Sequence, residues 1–254
     1  MSVDLGVPEL AKRVEDEMTQ VEQSSSTVTV QGNLDALQAE RNSSWPAERL
    51  VAHESFRLGL EENADRSRFV AEGDVVDPFL LNNPFLLDNV DGGSLLLSDL
   101  LETGPVVLVF FRFAGCPACN VVLPAYRDAL APELAALGAH LVAVSPQAPD
   151  KLREIKVRHD LNFDVASDPE AGLIRAFGIA FSPDEDAKAK QRERGSDLGE
   201  VLGTGRWELP YPTAVVIDQH GTVRFADMHP NWMIRTEAAT ILEVVRALVR
   251  PHAS

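Results

Sequence analysis

Cysteine is nearly missing from this chain of 254 residues, which has only Cys116 and Cys119. Two thiols exclude a disulfide-stapled secreted scaffold, and a chain of this length has enough core to do without one. Long apolar runs are missing too. Nothing approaches the roughly 18 consecutive apolar residues of a membrane-spanning helix, so no membrane partner is expected. The opening stretch "MSVDLGVPELAKRVEDEM" has neither a basic start nor an apolar segment, and on that pattern the protein is read as cytoplasmic. Basic residues are the minority, 23 Lys and Arg against 39 Asp and Glu, for a formal net charge of −16. No local basic patch offsets this surplus, so a nucleic acid would be repelled. The acidity reads as solubility.

What is present is a folded chain, 45% hydrophobic, ample for a globular core. Residues 1–70 read as a helical N-terminal extension and residues 71–254 as an α/β domain. In the extension, Leu10, Val14, Met18 and Val21 recur at helical spacing after Pro8. A second helix is predicted over residues 34–41, and a third after "SSWP", with Ser44 as its cap and Pro46 in its first turn. The periodic apolar faces imply packing or a homodimer contact.

From residue 71, short apolar runs broken by Gly, Pro, Asn and Asp suggest hairpins and strand ends. "PVVLVFF" at 105–111 is a continuous apolar run that suits a strand buried on both faces. A helix from Leu123 past Leu137 to Gly138 and a strand at "HLVAVSP" complete a βαβ unit with a parallel pair. Beyond lie a helix over 149–159, a strand near Phe163 and a helix over 171–177. "PDEDAKAKQRERGSD" reads as a solvated helix or flap. "TAVVIDQHGTVRFADM" reads as a hairpin with Gly221 in its turn, and Ile241, Val244, Val245 and Leu248 mark the face of a terminal helix. Four or five central strands are expected.

The two cysteines lie where the buried strand gives way to a helix. Pro117 suits the first turn of that helix, where its missing amide proton would be unpaired anyway. Cys116 then occupies the N-cap region, whose free amides and partial positive charge stabilise a thiolate. That makes Cys116 the more accessible nucleophile on geometry alone. Cys119, one turn along, is within reach for a disulfide. A structural zinc needs four ligands, and the six histidines are scattered with no second cysteine pair, so no metal is expected. Inert buried cysteines need no proline-started helix. Redox chemistry of the pair, without a cofactor, is the favoured reading.

"CPACNVVLP" resembles the thioredoxin active-site pattern, a CxxC opening a helix with a kinking proline, here Pro124. "YPTAVVID" is similar to the segment in which a cis-proline faces that motif, which implies a cis Tyr211–Pro212 bond. The longer resemblance, from about residue 71 to 248, is to the peroxiredoxin-like branch of the alkyl hydroperoxide reductase C and thiol-specific antioxidant family. It runs in order through "EGDVVDPFLL", "SLLLSDLLETGPVVLVFFR", "LGAHLVAVSPQAPD", "SDPEAGLIRAFGI" and "WELPYPTAVVIDQHGTVRFADMHPNW". It implies a thioredoxin-like fold, a central mixed sheet flanked by helices. On the family's PxxxTxxC pattern, Cys119 falls at the peroxidatic cysteine, Cys116 at the threonine and Arg112 at the proline, while Pro212 stands where the remote arginine should be. The last three depart from the peroxidase pattern. Arg112 and Arg224 are the candidates to supply the missing cation.

The resemblance implies a hydroperoxide substrate and a thioredoxin- or glutathione-type electron donor, with Cys119 oxidised to a sulfenic acid and Cys116 resolving it to a disulfide. The alternative is a thioredoxin-type reductase of protein disulfides, in which Cys116 attacks and Cys119 resolves. A third reading, a non-enzymatic redox-sensing protein that binds a partner through its extension, stays open because fold does not fix function. Trp207 and Glu208 are expected to line the groove, with Trp207 covering the dithiol. His229 and Trp232 in "MHPNW" follow the hairpin and read either as residues near the site or, favoured by the Pro and Asn, as a surface turn, and His53, His140, His159 and His220 as ordinary helix, strand-edge or turn residues.

Overall fold

The computed structural model describes residues 29–83, 86–193 and 195–250. The helix expected around Leu10 to Val21 lies outside these. Two helices of the extension come first, α1 (Val30–Ser44) and α2 (Ala47–Asn63). Thr29 caps α1, its hydroxyl accepting from the Gly32 amide at 2.9 Å. The Glu237 carboxylate accepts from the next two free amides, Val30 at 3.0 Å and Gln31 at 2.8 Å. α1 therefore starts earlier than its apolar spacing suggested, and Val30, Leu34 and Arg41 form its buried face. Ser44 does not cap α2 as expected. It is the last residue of α1, and Pro46 is the N-cap of α2 rather than part of its first turn. The cause is local: Pro46 pushes Trp45 into the extended region (φ −93°, ψ 146°), which ends one helix before the next begins.

The domain that follows contains α3 (Pro78–Leu81), β1 (Asp88–Asn89), α4 (Leu97–Thr103), β2 (Val106–Phe110), α5 (Pro117–Ala129), α6 (Ala131–Ala136), β3 (His140–Ser145) and α7 (Pro149–Arg158). Next come β4 (Asp164–Ser167), α8 (Gly172–Ala176), β5 (Ala180–Phe181), α9 (Glu185–Glu193), α10 (Leu198–Leu202), β6 (Leu209–Pro210), β7 (Thr213–Ile217), β8 (Val223–Met228) and α11 (Ala238–Val249). The main sheet has six strands in the order β1-β4-β3-β2-β7-β8. β2, β3 and β4 run parallel to one another, and the pairings of β1 with β4, of β7 with β2 and of β7 with β8 are antiparallel. This is the expected mixed sheet, with one edge strand more than expected. β1 is only two residues long, too short to show a period.

Two further expectations yield to packing. Within the run "LLLSDLLET" the last seven residues are a helix, α4, rather than a strand end, because Leu97 and Leu101 bury one turn apart. The helix expected to continue to Gly138 breaks at Leu130, and α6 restarts with Pro132 in its first turn, where the ring's missing N–H costs nothing.

The sheet divides the core in two. Val107 and Val109 of β2, Leu141 and Ala143 of β3, and Ala214 and Val216 of β7 face one layer. Their neighbours Val106, Leu108, Phe110, Val142, Val144, Val215 and Ile217 face the other. This period of two is why the continuous apolar runs read correctly as central strands. Cys116 and Cys119 lie in the first layer with Val30 and Leu34 of α1 and the buried face of α11. The extension thus covers the cysteine side of the sheet.

Glu237 is the clasp of that cover, because its carboxylate satisfies two helix-end amides at once. Replacing Glu237 with Ala should cost about 1–2 kcal/mol, read as a lower urea midpoint, and should speed proteolysis within residues 30–63 ahead of the rest of the chain.

Candidate active site

β2 ends at Phe110, and the segment 111–116 carries the chain over to α5. Its backbone is pinned from several sides. The Ala114 amide donates to Gln147 Oε1 at 2.8 Å, Ser145 Oγ donates to the Arg112 carbonyl at 3.0 Å, and Asn120 Nδ2 donates to the carbonyls of Ala114 (2.7 Å) and Cys116 (2.8 Å). Arg158 and His159 hold Asn120 Oδ1 in turn, at 2.8 and 2.7 Å. Cys116 is the N-cap of α5, Pro117 its first residue, and Pro124 lies inside it. Both thiols are unlinked and buried, 2% and 1% exposed. Gly115 and Pro117, on either side of Cys116, are exposed, so Cys116 is one residue from solvent while Cys119 points inward.

The pair titrates asymmetrically. The Cys119 thiol donates toward Cys116 and is the largest influence on it; against burial, and with help from Arg112 and Arg235, it holds the Cys116 pKa down. Cys119 is pushed up, first by burial, then by its hydrogen bond to Cys116 and by the charge there. One proton thus serves two sulfurs, with the thiolate on Cys116.

Cations gather around that thiolate. Arg112 lies 4.6 Å over the Trp232 ring and 5.4 Å over Phe113, and its buried Nε has no hydrogen-bond partner. Arg235, 8% exposed, donates to the carbonyls of Trp232 and Ile234 but leaves Nη2 unpaired. From the extension, buried Arg41 reaches Met233 Sδ at 3.2 Å, and among the charges around it Cys116 is the strongest. His53 sits edge-on between Trp45 and Trp232, with centroids 5.3 and 5.2 Å away. Burial and then Arg41, Arg57, Arg112 and Arg49 drive its pKa down to about 4, so it is neutral at physiological pH.

Cys119 faces a narrow cavity of about 10 Å³ on the sheet side, lined with Pro212, Tyr126, His229, Arg235 and Thr236. That is about the room one water needs. Of the expected site residues, Arg112 and Pro212 therefore meet the cysteines, and Pro117 starts their helix. Tyr211 does not: it stacks on Phe181 (centroids 4.8 Å) in the opposite core layer. The Tyr211–Pro212 bond is trans, since no described peptide bond is cis. Hydrogen bonds from the Tyr211 amide to Ile179 and from the His229 amide to Pro212 fix both flanks in the isomer that X-Pro bonds ordinarily prefer. Trp207 does not cover the dithiol either. It packs with Leu198, Leu202 and Leu209 under Arg192, and Glu208 pairs with Arg175. Arg224 is engaged by Asp218 at 2.6 Å.

Trp232, 4% exposed, lies under Arg112 in the same core layer as the cysteines, so "MHPNW" packs near the site rather than forming a surface turn. Arg235, Arg41 and the environment of His53 went unread because they lie far from the cysteines in sequence and follow no periodic pattern. Among the described residues no three His, Cys, Asp or Glu side chains converge as a metal site would require, and no helix is long and apolar enough to cross a membrane.

Comparison with known proteins places this geometry. Peroxiredoxin Bcp of Escherichia coli K12 is 30% identical over 95 residues, 37% of this chain and 60% of that protein. The chain spans about 60% of the length of such curated relatives. Among solved structures, peroxidoxin BcpB from Mycobacterium tuberculosis superposes with a TM-score of 0.53 at 24% identity, covering 71% of this chain and 98% of that one. A cysteine-to-serine variant of PrxQ from Xylella fastidiosa gives 0.54 at 17% identity, with 71% and 98% covered. These likenesses establish the thioredoxin fold. The AhpC/TSA family model matches residues 80–226, more than half of the chain, and the chain belongs to the AhpC/TSA family.

Proposed function

We propose that the protein is a thiol-dependent peroxidase in which the Cys116 thiolate attacks a hydroperoxide, is oxidised to a sulfenic acid, and is resolved by Cys119 to a disulfide. The carrying observation is a thiolate beside an unpaired guanidinium nitrogen with the resolving thiol one helical turn away. The thiolate is the nucleophile in this chemistry. The Arg112 and Arg235 guanidiniums supply the positive field that the departing alkoxide or hydroxide requires, in place of the family's threonine and arginine. The family pattern assigns the first attack to Cys119; the charge distribution here favours Cys116.

The burial of both sulfurs favours a small oxidant over a protein disulfide, since a peroxide needs a far narrower opening than a polypeptide chain. A dithiol reductant of thioredoxin or glutathione type is the donor in this reading, and its disulfide-forming cycle suits the cytoplasm, where thiols rest reduced. In this reading the domain boundary falls between residues 70 and 71, with the extension completing the cysteine side of the core. A homodimer belongs here too, supported by Val51, Phe56 and Leu58, which stand 64%, 42% and 50% exposed on α2.

Three measurements test this. Cys116→Ser should abolish peroxide consumption, while Cys119→Ser should still reduce one equivalent of hydrogen peroxide and leave a trappable sulfenic acid; the reverse pattern would return the first attack to Cys119. The ultraviolet absorbance of the Cys116 thiolate should disappear as pH falls through about 5, and the peroxide rate should fall with it, because the depressed pKa keeps the sulfur charged above that value and protonated below. Arg112→Met should slow the oxidation step by about 10²-fold with the fold retained by circular dichroism.

A further inference from the structure

The wall of the Cys119 cavity holds a second functional element. Cys119 must lose its proton to close the disulfide, yet burial and the neighbouring thiolate oppose that loss. Each proton-bearing side chain lining the cavity can be weighed in turn. Tyr126 Oη donates to the Thr236 carbonyl at 2.6 Å, and burial keeps its phenol protonated. Arg235 has no lone pair to accept a proton. Thr213 Oγ1 donates to the Tyr211 carbonyl at 2.8 Å, and Thr236 Oγ1 to Asp227 Oδ2 at 2.8 Å. His229 alone is left as an acceptor among the cavity's lining residues.

Its setting is that of an oriented base. His229 Nε2 lies 3.0 Å from Asp227 Oδ2, and the hydrogen bonds from His229 and then Thr236 hold the Asp227 carboxyl below its usual range. An ionised carboxylate on Nε2 places the proton there and leaves the Nδ1 lone pair free. Among the described residues Nδ1 has no hydrogen-bond partner. The His229 amide donates to the Pro212 carbonyl at 2.9 Å, which fastens the residue to the cavity wall. Of the other titratable groups, Arg235 from the segment before α11 and Cys119 and Tyr126 from α5 line this space, while Asp227 of β8 acts on it through His229 and Cys116 through Cys119.

We propose that His229, oriented by Asp227, carries the proton of the resolving step. As Cys119 sulfur attacks oxidised Cys116, the S–H proton passes to His229 Nδ1, directly or through one water in the cavity. The new S–S bond forms as the Cys116 S–O bond breaks, and His229 returns the proton to the departing hydroxide as water. Cys116 is reduced from sulfenic acid as Cys119 is oxidised, so no further reactant is required. The inference rests on the peroxidase reading for its oxidant, whereas the proton transfer itself serves any leaving group on Cys116.

The test reads the resolving step in two arms. In the first, reduced protein meets hydrogen peroxide in a single turnover, and disulfide formation is followed by quenched alkylation. In the second, Cys116 carries thionitrobenzoate from Ellman's reagent, and Cys119 attack is read as release of the second thionitrobenzoate. His229→Gln should slow resolution about 10²-fold in both arms, with sulfenic acid accumulating in the first. Imidazole added to His229→Gly should restore at least about 10-fold of the rate, and Asp227→Asn should slow resolution as well. Slow resolution in the second arm from a protein that ignores peroxide would support His229 and overturn the peroxidase reading. An unchanged resolving rate in both arms, or a slowed rate that imidazole leaves alone, would overturn the role of His229 whatever the peroxide result.

Discussion

A charge buried away from water must be matched nearby, and the Cys116 thiolate imposes this demand on its surroundings. The sulfur is 2% exposed, so bulk solvent stabilises it little. Its proton stays one helical turn away on Cys119, whose S–H is the largest favourable influence on it, and Arg112 and Arg235 supply the field. The same demand explains the neutral His53: guanidiniums that stabilise a thiolate disfavour an imidazolium among them. In a chain with a net charge of −16, positive charge is concentrated where the chemistry needs it.

The extension is part of that arrangement. Its first helix brings Arg41 against the cysteine side of the core, and its second brings His53 against Trp232. Both helices lie outside the residues matched by the family model, so the Arg41 cation reaches the cysteine side of the core from beyond the shared domain. Glu237 fastens the first of these helices two residues after Arg235, so one short segment both anchors the cover and supplies a guanidinium beneath it.

The division of labour between the sulfurs follows from depth. Cys116 lies between two exposed residues and carries the charge, whereas Cys119 looks into the sheet side of the core and keeps the proton. A lone CxxC has no means of moving that proton. The loop between β8 and α11 lines the same cavity with His229, Arg235 and Thr236, and Asp227 within β8 holds the His229 ring. The cysteines and His229 thus meet from segments far apart in the chain.

Much of this was legible in the chain. The strands at 105–111 and 140–145, the β7–β8 hairpin, the terminal helix and the CxxC at a strand-to-helix junction are local patterns of period, turn residue and proline position, which depend on neighbours in sequence. Ser44, "LLLSDLLET" and the long helix after Cys119 were misread because each turned on one proline or one buried pair that periodicity alone does not weigh. Which residue types could do redox chemistry, and where their helix starts, follows from the chain alone, since both are consequences of a few adjacent residues. Folding in space is what puts Trp232 rather than Trp207 under Arg112, turns Arg235 and Arg41 rather than Arg224 toward the cysteines, and gives His229 a cavity in common with Cys119. Electrostatic and packing partners are chosen by distance in space, and the pairing of β8 with β7 and the docking of α1 on α5 set those distances.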